Sequence, residues 1–237
     1  MRPLTDTCPK PLLQVRGKAL IDWHVEALTL CGFTNLVINT AWLGEQFEPH
    51  FLAHFEHQID LQPNKYRRKQ LLISYSHEGL DFGGALETAG GIARALPMLG
   101  DVFWVLAGDV YTPGFEFIQA AVERFSASGK LAHLWLVQNP PHNLKGDFGI
   151  SADGLALNLP SDLSANSPQP RYTFSTIALY RKAFFDSLPF GNPQGIKAAL
   201  APLLRAAMDN SQVSAELYPG PWADVGTPER LAQLNLN

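Results

Sequence analysis

The sequence predicts an α/β fold in which helices flank a mostly parallel β-sheet. Over the first two-thirds of the chain, short apolar segments alternate with segments of helical periodicity. Residues 102–106, VFWVL, are apolar throughout, as a strand covered on both faces should be. Strands separated by helices favour right-handed crossovers and parallel pairing. The 237 residues suffice for one large domain with a substantial core.

The first part of the chain contains the regular alternation. Apolar side chains recur at helical spacing in residues 19–30, and Gly32 follows as a natural stop. In order, we predict a short apolar piece at 12–15, a helix at 19–30, a strand at 35–39, a helix at 44–55, a strand at 71–75, a helix at 87–99, a strand at 102–106, a helix at 115–126 and a strand at 132–137.

The pattern changes near Pro140, and glycine, proline and polar residues dominate as far as Pro170. We predict hairpin strands near 148–150 and 155–157, a strand at 172–180, an amphipathic helix at 196–208 and a strand at 213–218. Thr227, Pro228 and Glu229 open the last helix as an N-cap, a first helical residue and a first-turn acid. We therefore expect a single domain over 1–237 made of two parts, 1–139 and 140–237, with a small mixed β portion in the second.

Composition excludes several classes of function. The net charge of −4 gives no basic field for nonspecific binding to nucleic acid. The two cysteines form no CxxC motif, which favours a reducing compartment. No segment approaches the roughly 20 apolar residues of a membrane span, and no apolar signal core stands at the N-terminus. We expect a soluble, cytoplasmic protein without nucleic-acid or membrane partners; the sequence does not indicate its oligomeric state.

Lys10 stands between Pro9 and Pro11 in the opening segment MRPLTDTCPKPLL. Proline fixes its own φ and pushes the preceding residue toward extended geometry, so this ammonium is held on a stiff segment. Phosphate is the usual target of such a lysine. The alternative is a solvated lysine in a proline-rich turn.

Two acids follow apolar or aromatic segments in the sequence. Asp109, in LAGDVY, lies just past the carboxyl end of a predicted buried strand, the edge at which open parallel sheets bind ligands. A carboxylate there suits Mg²⁺, which takes one or two acids together with water and substrate phosphates. Asp224, in WADVGT, could share the ion. Each acid has an alternative interpretation as a turn or cap residue.

Taken together, one lysine and two separated acids are the minimum set for metal-assisted nucleotidyl transfer. The chain resembles the sugar-nucleotide pyrophosphorylases, the nucleotidyltransferases that join a sugar 1-phosphate to a nucleoside triphosphate. The resemblance rests on RPLTDTCPKPLLQVRGKALIDWHVEAL, ETAGGIARAL, LAGDVY and WADVGTPERL, which occur in the family's order and cover nearly the whole chain. VINTAWLGEQFE, LVQNPPHNLKGDFGI and YTFSTIALY resemble most the branch that acts on N-acetylmuramate 1-phosphate in cell-wall recycling.

The resemblance implies a Rossmann-like, GT-A-like fold and a Mg²⁺-dependent transfer of UMP from UTP to a sugar 1-phosphate, with release of pyrophosphate. It implies that 1–139 binds the nucleotide and 140–237 the sugar phosphate. The implied residue roles are phosphate contact for Lys10, metal binding for Asp109 and Asp224, nucleotide binding for Glu78, Thr88 and Gly90, and sugar-phosphate binding for Asn139, Asp147, Thr173 and Ser175.

The sequence also departs from the family pattern. In the family, an apolar strand and a glycine-rich loop of the type LAAGxGxRM precede the RPLT segment, and Met1 stands where that loop closes. We expect this chain to lack that strand and loop, and to be weakly active and poorly stable compared with an upstream-extended form. Thr176 stands where a glycine is expected after Ser175.

Two alternatives to the uridylyltransferase remain open. The chain could be an inactive relative that binds a nucleotide or a sugar phosphate, or it could be a guanylyl- or thymidylyltransferase acting on another sugar 1-phosphate. Base choice rests on a few hydrogen bonds that the sequence does not place.

Overall fold

The computed structural model describes residues 1–59, 71–160 and 170–236, without the side chains of 54–59. Helices and strands alternate as far as residue 137. In chain order this part contains β1 (Gln14–Val15), β2 (Lys18–Ala19), α1 (Leu20–Leu30), β3 (Asn35–Thr40), α2 (Phe47–Ile59), β4 (Leu72–His77), α3 (Glu78–Phe82), α4 (Glu87–Ala95), β5 (Val102–Val105), β6 (Val110–Tyr111), α5 (Gln119–Ala127) and β7 (Ala132–Val137).

The remainder is richer in strands. It contains β8 (Phe148–Ile150), β9 (Ala156–Leu157), β10 (Arg171–Arg181), α6 (Leu200–Asp209), β11 (Val213–Leu217), β12 (Ala223–Asp224) and α7 (Pro228–Leu236). The predicted α/β class is confirmed. Among the described residues, every helix is too short or too polar to cross a lipid bilayer.

The central sheet is organised around the long strand β10. One edge of β10 pairs with β7, and the other edge pairs with β5 at one end and with β8 at the other. All three pairings are antiparallel, whereas β11 joins β7 in parallel. The sheet is therefore more mixed than the alternation of helices and strands predicts. Because β5 and β7 come from the first part of the chain and β8 to β11 from the second, both parts share one sheet.

A second, parallel pair is formed by β3 and β4, in register from Asn35 opposite Leu72 to Thr40 opposite His77. A cavity of about 1180 Å³ lies between β3 and β5. Its lining is mostly apolar and includes Leu36, Ile38 and Phe103, but it also includes polar groups discussed below.

Buried side chains cover both faces of the central sheet. In β7, Leu134 and Leu136 pack toward α4 and α6, while Trp135 packs with Phe117 and Phe125 beside α5. Successive residues of a strand point to opposite faces, so this alternation requires helices on both sides. Each fully buried apolar side chain contributes about 1.5–3 kcal/mol.

Two predicted helices begin later than their periodicity indicates. Phe115 and Phe117 are buried in the core in an irregular segment, and α5 starts at Gln119. The helix predicted from residue 196 starts at Leu200, because the side chain of Asn192 donates to the carbonyl of Ile196 and accepts from its N–H. The side chain of Asn192 thus occupies the backbone N–H and carbonyl of Ile196, which would otherwise form hydrogen bonds within a first helical turn.

Candidate active site

Lys10 is directed at Asp109. Pro9 is extended, with ψ of 140°, but Lys10 begins a single 3₁₀ turn that ends at Leu12, so the lysine itself is not extended as the sequence predicts. The Nζ atom of Lys10 donates to Oδ2 of Asp109 at 2.5 Å. A side chain at Gly108 would lie 3.1 Å from the ring of Pro11. The absence of a side chain there lets the lysine-bearing turn lie against the loop that carries Asp109.

Asp109 and Asp224 are held side by side by a ribbon of two short strands. Strand β12 pairs antiparallel with β6, with Asp224 opposite Val110. Next to this pair, the N–H of Val225 donates to the carbonyl of Asp109 at 2.9 Å. The structure therefore places Lys10 against Asp109, and it pairs the backbone segments that bear Asp109 and Asp224. The site that the sequence predicts from these three residues stays a prediction.

The carboxylate of Asp224 has one satisfied and one unsatisfied oxygen. Nη1 of Arg230 donates to Oδ2. Nε2 of His142 lies 2.9 Å from Oδ1, but without hydrogen-bond geometry, and Oδ1 is buried without a hydrogen bond. A buried carboxylate oxygen in that state is costly, and a cation would satisfy it.

Mg²⁺ fits this donor set. Its usual protein ligands are one or two carboxylates, with substrate phosphates and water completing an octahedron. Asp109, which directly precedes β6, and Asp224, in β12, provide two carboxylates on paired backbone segments, and the unsatisfied Oδ1 of Asp224 is the atom that such an ion would take. Within the described part of the chain no group of three or more potential ligands forms a ready cage. The ion would therefore depend on substrate phosphates for the rest of its coordination.

A polar cluster lies on the loop between β7 and β8. Oδ1 of Asn139 accepts from the hydroxyl of Thr173 at 2.9 Å, and Oδ2 of Asp147 accepts from the N–H of Phe174 at 2.8 Å. Nδ2 of Asn143 lies within hydrogen-bonding distance of both Asp147 and Thr173. Three predicted sugar-phosphate residues are thus brought together, and Asn143 joins them although the sequence analysis did not identify it.

Ser175 lies apart from that cluster. Its side chain is fully buried, where its hydroxyl donates to the carbonyl of Trp135 at 2.6 Å and accepts from the N–H of Ile177. Because backbone groups satisfy this hydroxyl inside the sheet, it is not positioned to contact a sugar phosphate. The carbonyl of Ser175 accepts from Nε1 of Trp222, two residues before Asp224, at 3.0 Å.

The predicted nucleotide-binding residues have different environments. Thr88 is exposed at the start of α4 and lines the large cavity. Glu78 also lines it but is buried, and its Oε2 accepts from the N–H of Leu86 at 2.7 Å. Burial raises the pKa of the Glu78 carboxyl, and the hydrogen bond from Leu86 opposes this effect.

Gly90 is buried inside a packing contact. Its N–H donates to the carbonyl of Ala198 at 3.1 Å, and its carbonyl accepts from Nδ2 of Asn192 at 3.1 Å. A side chain at this position would meet the carbonyl oxygen of Ile196 at 2.5 Å. Close packing therefore explains why a glycine is needed at position 90, independently of the predicted contact with a nucleotide.

His142 and Arg230 were missed by the sequence analysis. The only signal for Arg230 is its position three residues after the helix N-cap Thr227, which places it on the first turn of α7 beside Asp224. His142 gives no comparable signal, because its approach to Asp224 depends on how the loop after β7 folds.

Comparisons with known proteins place the chain among nucleotidyl transferases. Residues 1–154 match the family described as Nucleotidyl transferase. The chain is 42% identical to N-acetylmuramate alpha-1-phosphate uridylyltransferase of Neisseria meningitidis serogroup B, over 98% of this chain and 90% of that protein. It is 24% identical to UTP–glucose-1-phosphate uridylyltransferase of a Synechocystis species, over 95% of this chain and 57% of that protein.

Solved structures share the fold. A crystal structure assigned as a glucose-1-phosphate thymidylyltransferase from Bacillus anthracis superposes with a TM-score of 0.70 at 19% identity, over 100% of this chain and 89% of that one. HddC from Yersinia pseudotuberculosis, complexed with GMP-PN, superposes with a TM-score of 0.59 at 14% identity, over 97% and 89%.

Proposed function

Because the chain belongs to the nucleotidyl transferase family, we propose that it transfers UMP from UTP to a sugar 1-phosphate and releases pyrophosphate. The observation that carries the proposal is the contact of Lys10 with Asp109, together with the pairing of the backbone segments that bear Asp109 and Asp224. An ammonium and two carboxylates on paired backbone segments suit the transfer of a phosphoryl group between two anionic substrates.

The proposed acceptor is N-acetylmuramate 1-phosphate. The support is the 42% identity to the N-acetylmuramate alpha-1-phosphate uridylyltransferase of Neisseria. This similarity extends over nearly the full length of both chains. Other relatives are named mannose-1-phosphate guanylyltransferases, and they match less than half of this chain. The difference in coverage favours the uridylyl reaction over a guanylyl reaction.

In the proposed reaction an oxygen of the sugar phosphate attacks the α-phosphorus of UTP in line with the leaving group. A new P–O bond forms, and the bond to the oxygen that bridges the α- and β-phosphorus atoms breaks. Pyrophosphate leaves with that electron pair, and no protein nucleophile is needed. Catalysis then comes from positioning the two phosphates and stabilising the charge that develops between them.

The residues divide this work by position. Lys10 would contact the triphosphate, because its ammonium lies at Asp109 and remains partly exposed to solvent. Asp109 and Asp224 would hold Mg²⁺, which when bound neutralises charge on the phosphate oxygens. Asn139, Asp147 and Thr173 would orient the sugar phosphate, since they form one hydrogen-bonded cluster. Glu78 and Thr88 line the cavity in which the base would lie.

Pyrophosphate release provides the test. The protein is incubated with each of UTP, GTP and dTTP, paired with N-acetylmuramate 1-phosphate, glucose 1-phosphate or mannose 1-phosphate, with and without EDTA. We expect the highest kcat/KM with UTP and N-acetylmuramate 1-phosphate, and loss of activity in EDTA. Asp109→Asn and Asp224→Asn should each lower kcat at least about 100-fold, which corresponds to about 2.7 kcal/mol of barrier.

The matched control is Asp153→Asn, which changes an exposed aspartate in the turn between β8 and β9 and should leave kcat unchanged. Turnover that persists in EDTA would remove the metal from the proposal. Tight binding of UTP without release of pyrophosphate from any pair would support an inactive binding relative instead.

A further inference from the structure

We propose that Arg230 and His142 form the binding site for the phosphate group of the acceptor sugar 1-phosphate, an inference that rests on the proposed function. Neither residue belongs to the predicted sugar-phosphate set. Both contact the carboxylate of Asp224 from the side that faces the loop between β7 and β8.

The two side chains are close to each other as well as to Asp224. Nη1 of Arg230 lies 3.3 Å from Nε2 of His142 and donates to Oδ2 of Asp224. Their side chains are 28% and 37% exposed, so an anion from solvent can reach both. They therefore form a compact, accessible pair in which the guanidinium of Arg230 supplies positive charge and N–H donors and the imidazole of His142 lies directly beside it.

Arg230 keeps free donors for a ligand. Its side-chain contacts with His142 and Asp224 all use Nη1. Within the described part of the chain, Nε and Nη2 have no hydrogen-bond acceptor. A guanidinium presents its donors in a rigid fork that matches two oxygens of one phosphate. Arg230 can therefore bind a phosphate in bidentate fashion while Nη1 stays near Asp224.

The backbone around Arg230 fixes the position of this fork. The N–H of Arg230 lies 3.3 Å from the hydroxyl of Thr227, the N-cap of α7. A side chain at Gly226 would lie 3.0 Å from Nη1 of Arg230 and 3.1 Å from Oδ2 of Asp224. The glycine leaves room for the arginine and the carboxylate to meet, and the cap orients the first helical turn.

The position of His142 connects the acids to the sugar cluster. Its neighbour in the chain, Asn143, contacts both Asp147 and Thr173 through Nδ2. A sugar held by that cluster would thus place its 1-phosphate toward His142 and Arg230, next to Asp224. The loop between β7 and β8 carries the groups for both the sugar and its phosphate.

Charge balance gives the physical reason for a second cationic group. The reaction must bring two anions, the triphosphate and the sugar phosphate, to within bonding distance, and like charges repel strongly when water is excluded. Lys10 lies at Asp109, on the side proposed for the triphosphate. Arg230 lies at Asp224, so each anion has its own cationic partner.

The test compares Arg230→Gln, Arg230→Lys and His142→Gln with a control, Arg124→Gln, which removes an exposed arginine on α5. We measure KM for each substrate and kcat, and separately the binding of N-acetylmuramate 1-phosphate alone by calorimetry. We expect Arg230→Gln to raise KM for the sugar phosphate about 10–100-fold with KM for UTP within about twofold, because a charge-assisted contact to phosphate is lost.

Arg230→Lys should recover part of the affinity, since lysine keeps the charge but lacks the fork. His142→Gln should raise the same KM by a smaller factor, and Arg124→Gln should match the wild type. Equal effects of Arg230→Gln on both KM values, or unchanged binding of the sugar phosphate, would overturn the inference and indicate a structural role. If wild-type protein binds the sugar phosphate through Arg230 but transfers nothing, the site stands and the proposed function fails.

Discussion

At the scale of single residues, Thr176 is held in a conformation that β-branched side chains avoid. Its φ is +69°, in the left-handed region, at the point where the pairing of β10 with β7 shifts register. Its hydroxyl lies 3.4 Å from the N–H of Ala107, just before Gly108 and Asp109. The strain therefore lies where β10 contacts the loop that carries Asp109. It agrees with the glycine that the family pattern has at this position.

Replacing this threonine tests the strain directly. Thr176→Gly should raise the free energy of unfolding by about 1 kcal/mol, because removal of left-handed strain of about 1–2 kcal/mol exceeds the entropy cost of glycine. Thr176→Ala keeps the Cβ atom and should gain less. Both are measured by urea denaturation. If the alanine and glycine variants are equally stable, the backbone of residue 176 carries no strain.

Thr173 and Ser175, which the sequence predicts to share one role, have different hydrogen-bond partners in the structure. Thr173 and Ser175 both occur in the segment YTFSTIALY, and both point to the same face of β10. Thr173 hydrogen-bonds the polar cluster, whereas Ser175 is enclosed by the sheet and bonds backbone groups only. Both side chains are buried, so strand alternation predicts their shared face, but the neighbouring strands and loops determine which groups each hydroxyl contacts.

At the scale of elements, the start of α4 is fixed by contact with the segment that precedes α6. The N–H groups of Ala89 and Gly90 both donate to the carbonyl of Ala198, at 2.9 and 3.1 Å. Because the first N–H groups of a helix lack intrahelical partners, this carbonyl satisfies two that would otherwise be exposed or orphaned. The glycine-rich start of α4 is thus a close backbone contact between two elements.

Gly90→Ala should lower the free energy of unfolding by about 1–3 kcal/mol, because the new methyl group would meet a backbone carbonyl that cannot move aside easily. Gly84→Ala is the matched control: a side chain there meets nothing within 4 Å and the residue has no positive φ. Thermal unfolding of both variants measures the difference. A stable Gly90→Ala protein with a selectively raised KM for UTP would favour the predicted nucleotide contact over the packing role.

At the scale of the whole molecule, His24 ties helix α1 to the ribbon that carries the two acids. Its side chain is 4% exposed, and Nε2 lies 2.8 Å from the carbonyl of Val110 in β6. Burial lowers the pKa of His24 from 6.5 to about 4, although the hydrogen bond to Val110 and the charge of Asp109 oppose the shift. The folded protein therefore holds this imidazole neutral.

The shift predicts a loss of stability in acid. Between pH 6.5 and 4 the unfolded chain binds a proton at His24 that the folded protein does not, so the free energy of unfolding falls as the pH is lowered. The maximum loss from this group is about 3 kcal/mol. Urea denaturation at intervals from pH 7 to pH 4.5 measures it.

His24→Gln isolates the contribution of this group. The comparison is needed because burial raises the pKa of Glu78, which acts in the opposite direction over an overlapping range. The variant should be less stable at pH 7 and should show a shallower decline in acid than the wild type. Parallel pH profiles for the two proteins would mean that His24 does not remain neutral in the fold.

The sequence by itself determined the elements with strong periodicity and the identity of the acid and lysine groups. Strands such as β3 and β7 and helix α1 are long enough for apolar spacing to define them, so their bounds agree with prediction to within about a residue. Asp109 was found because it follows the carboxyl end of the apolar run 102–106, the edge at which open parallel sheets bind ligands.

Only the tertiary structure decided how those groups meet. Strands β6 and β12 have two residues each, too few to show any periodicity, yet their pairing places Asp224 beside Asp109. The approach of Arg230 and His142 to Asp224 likewise depends on a helix start and a loop from distant parts of the chain. Local spacing encodes local structure, whereas a site assembled by long-range pairing depends on the packing of the whole chain.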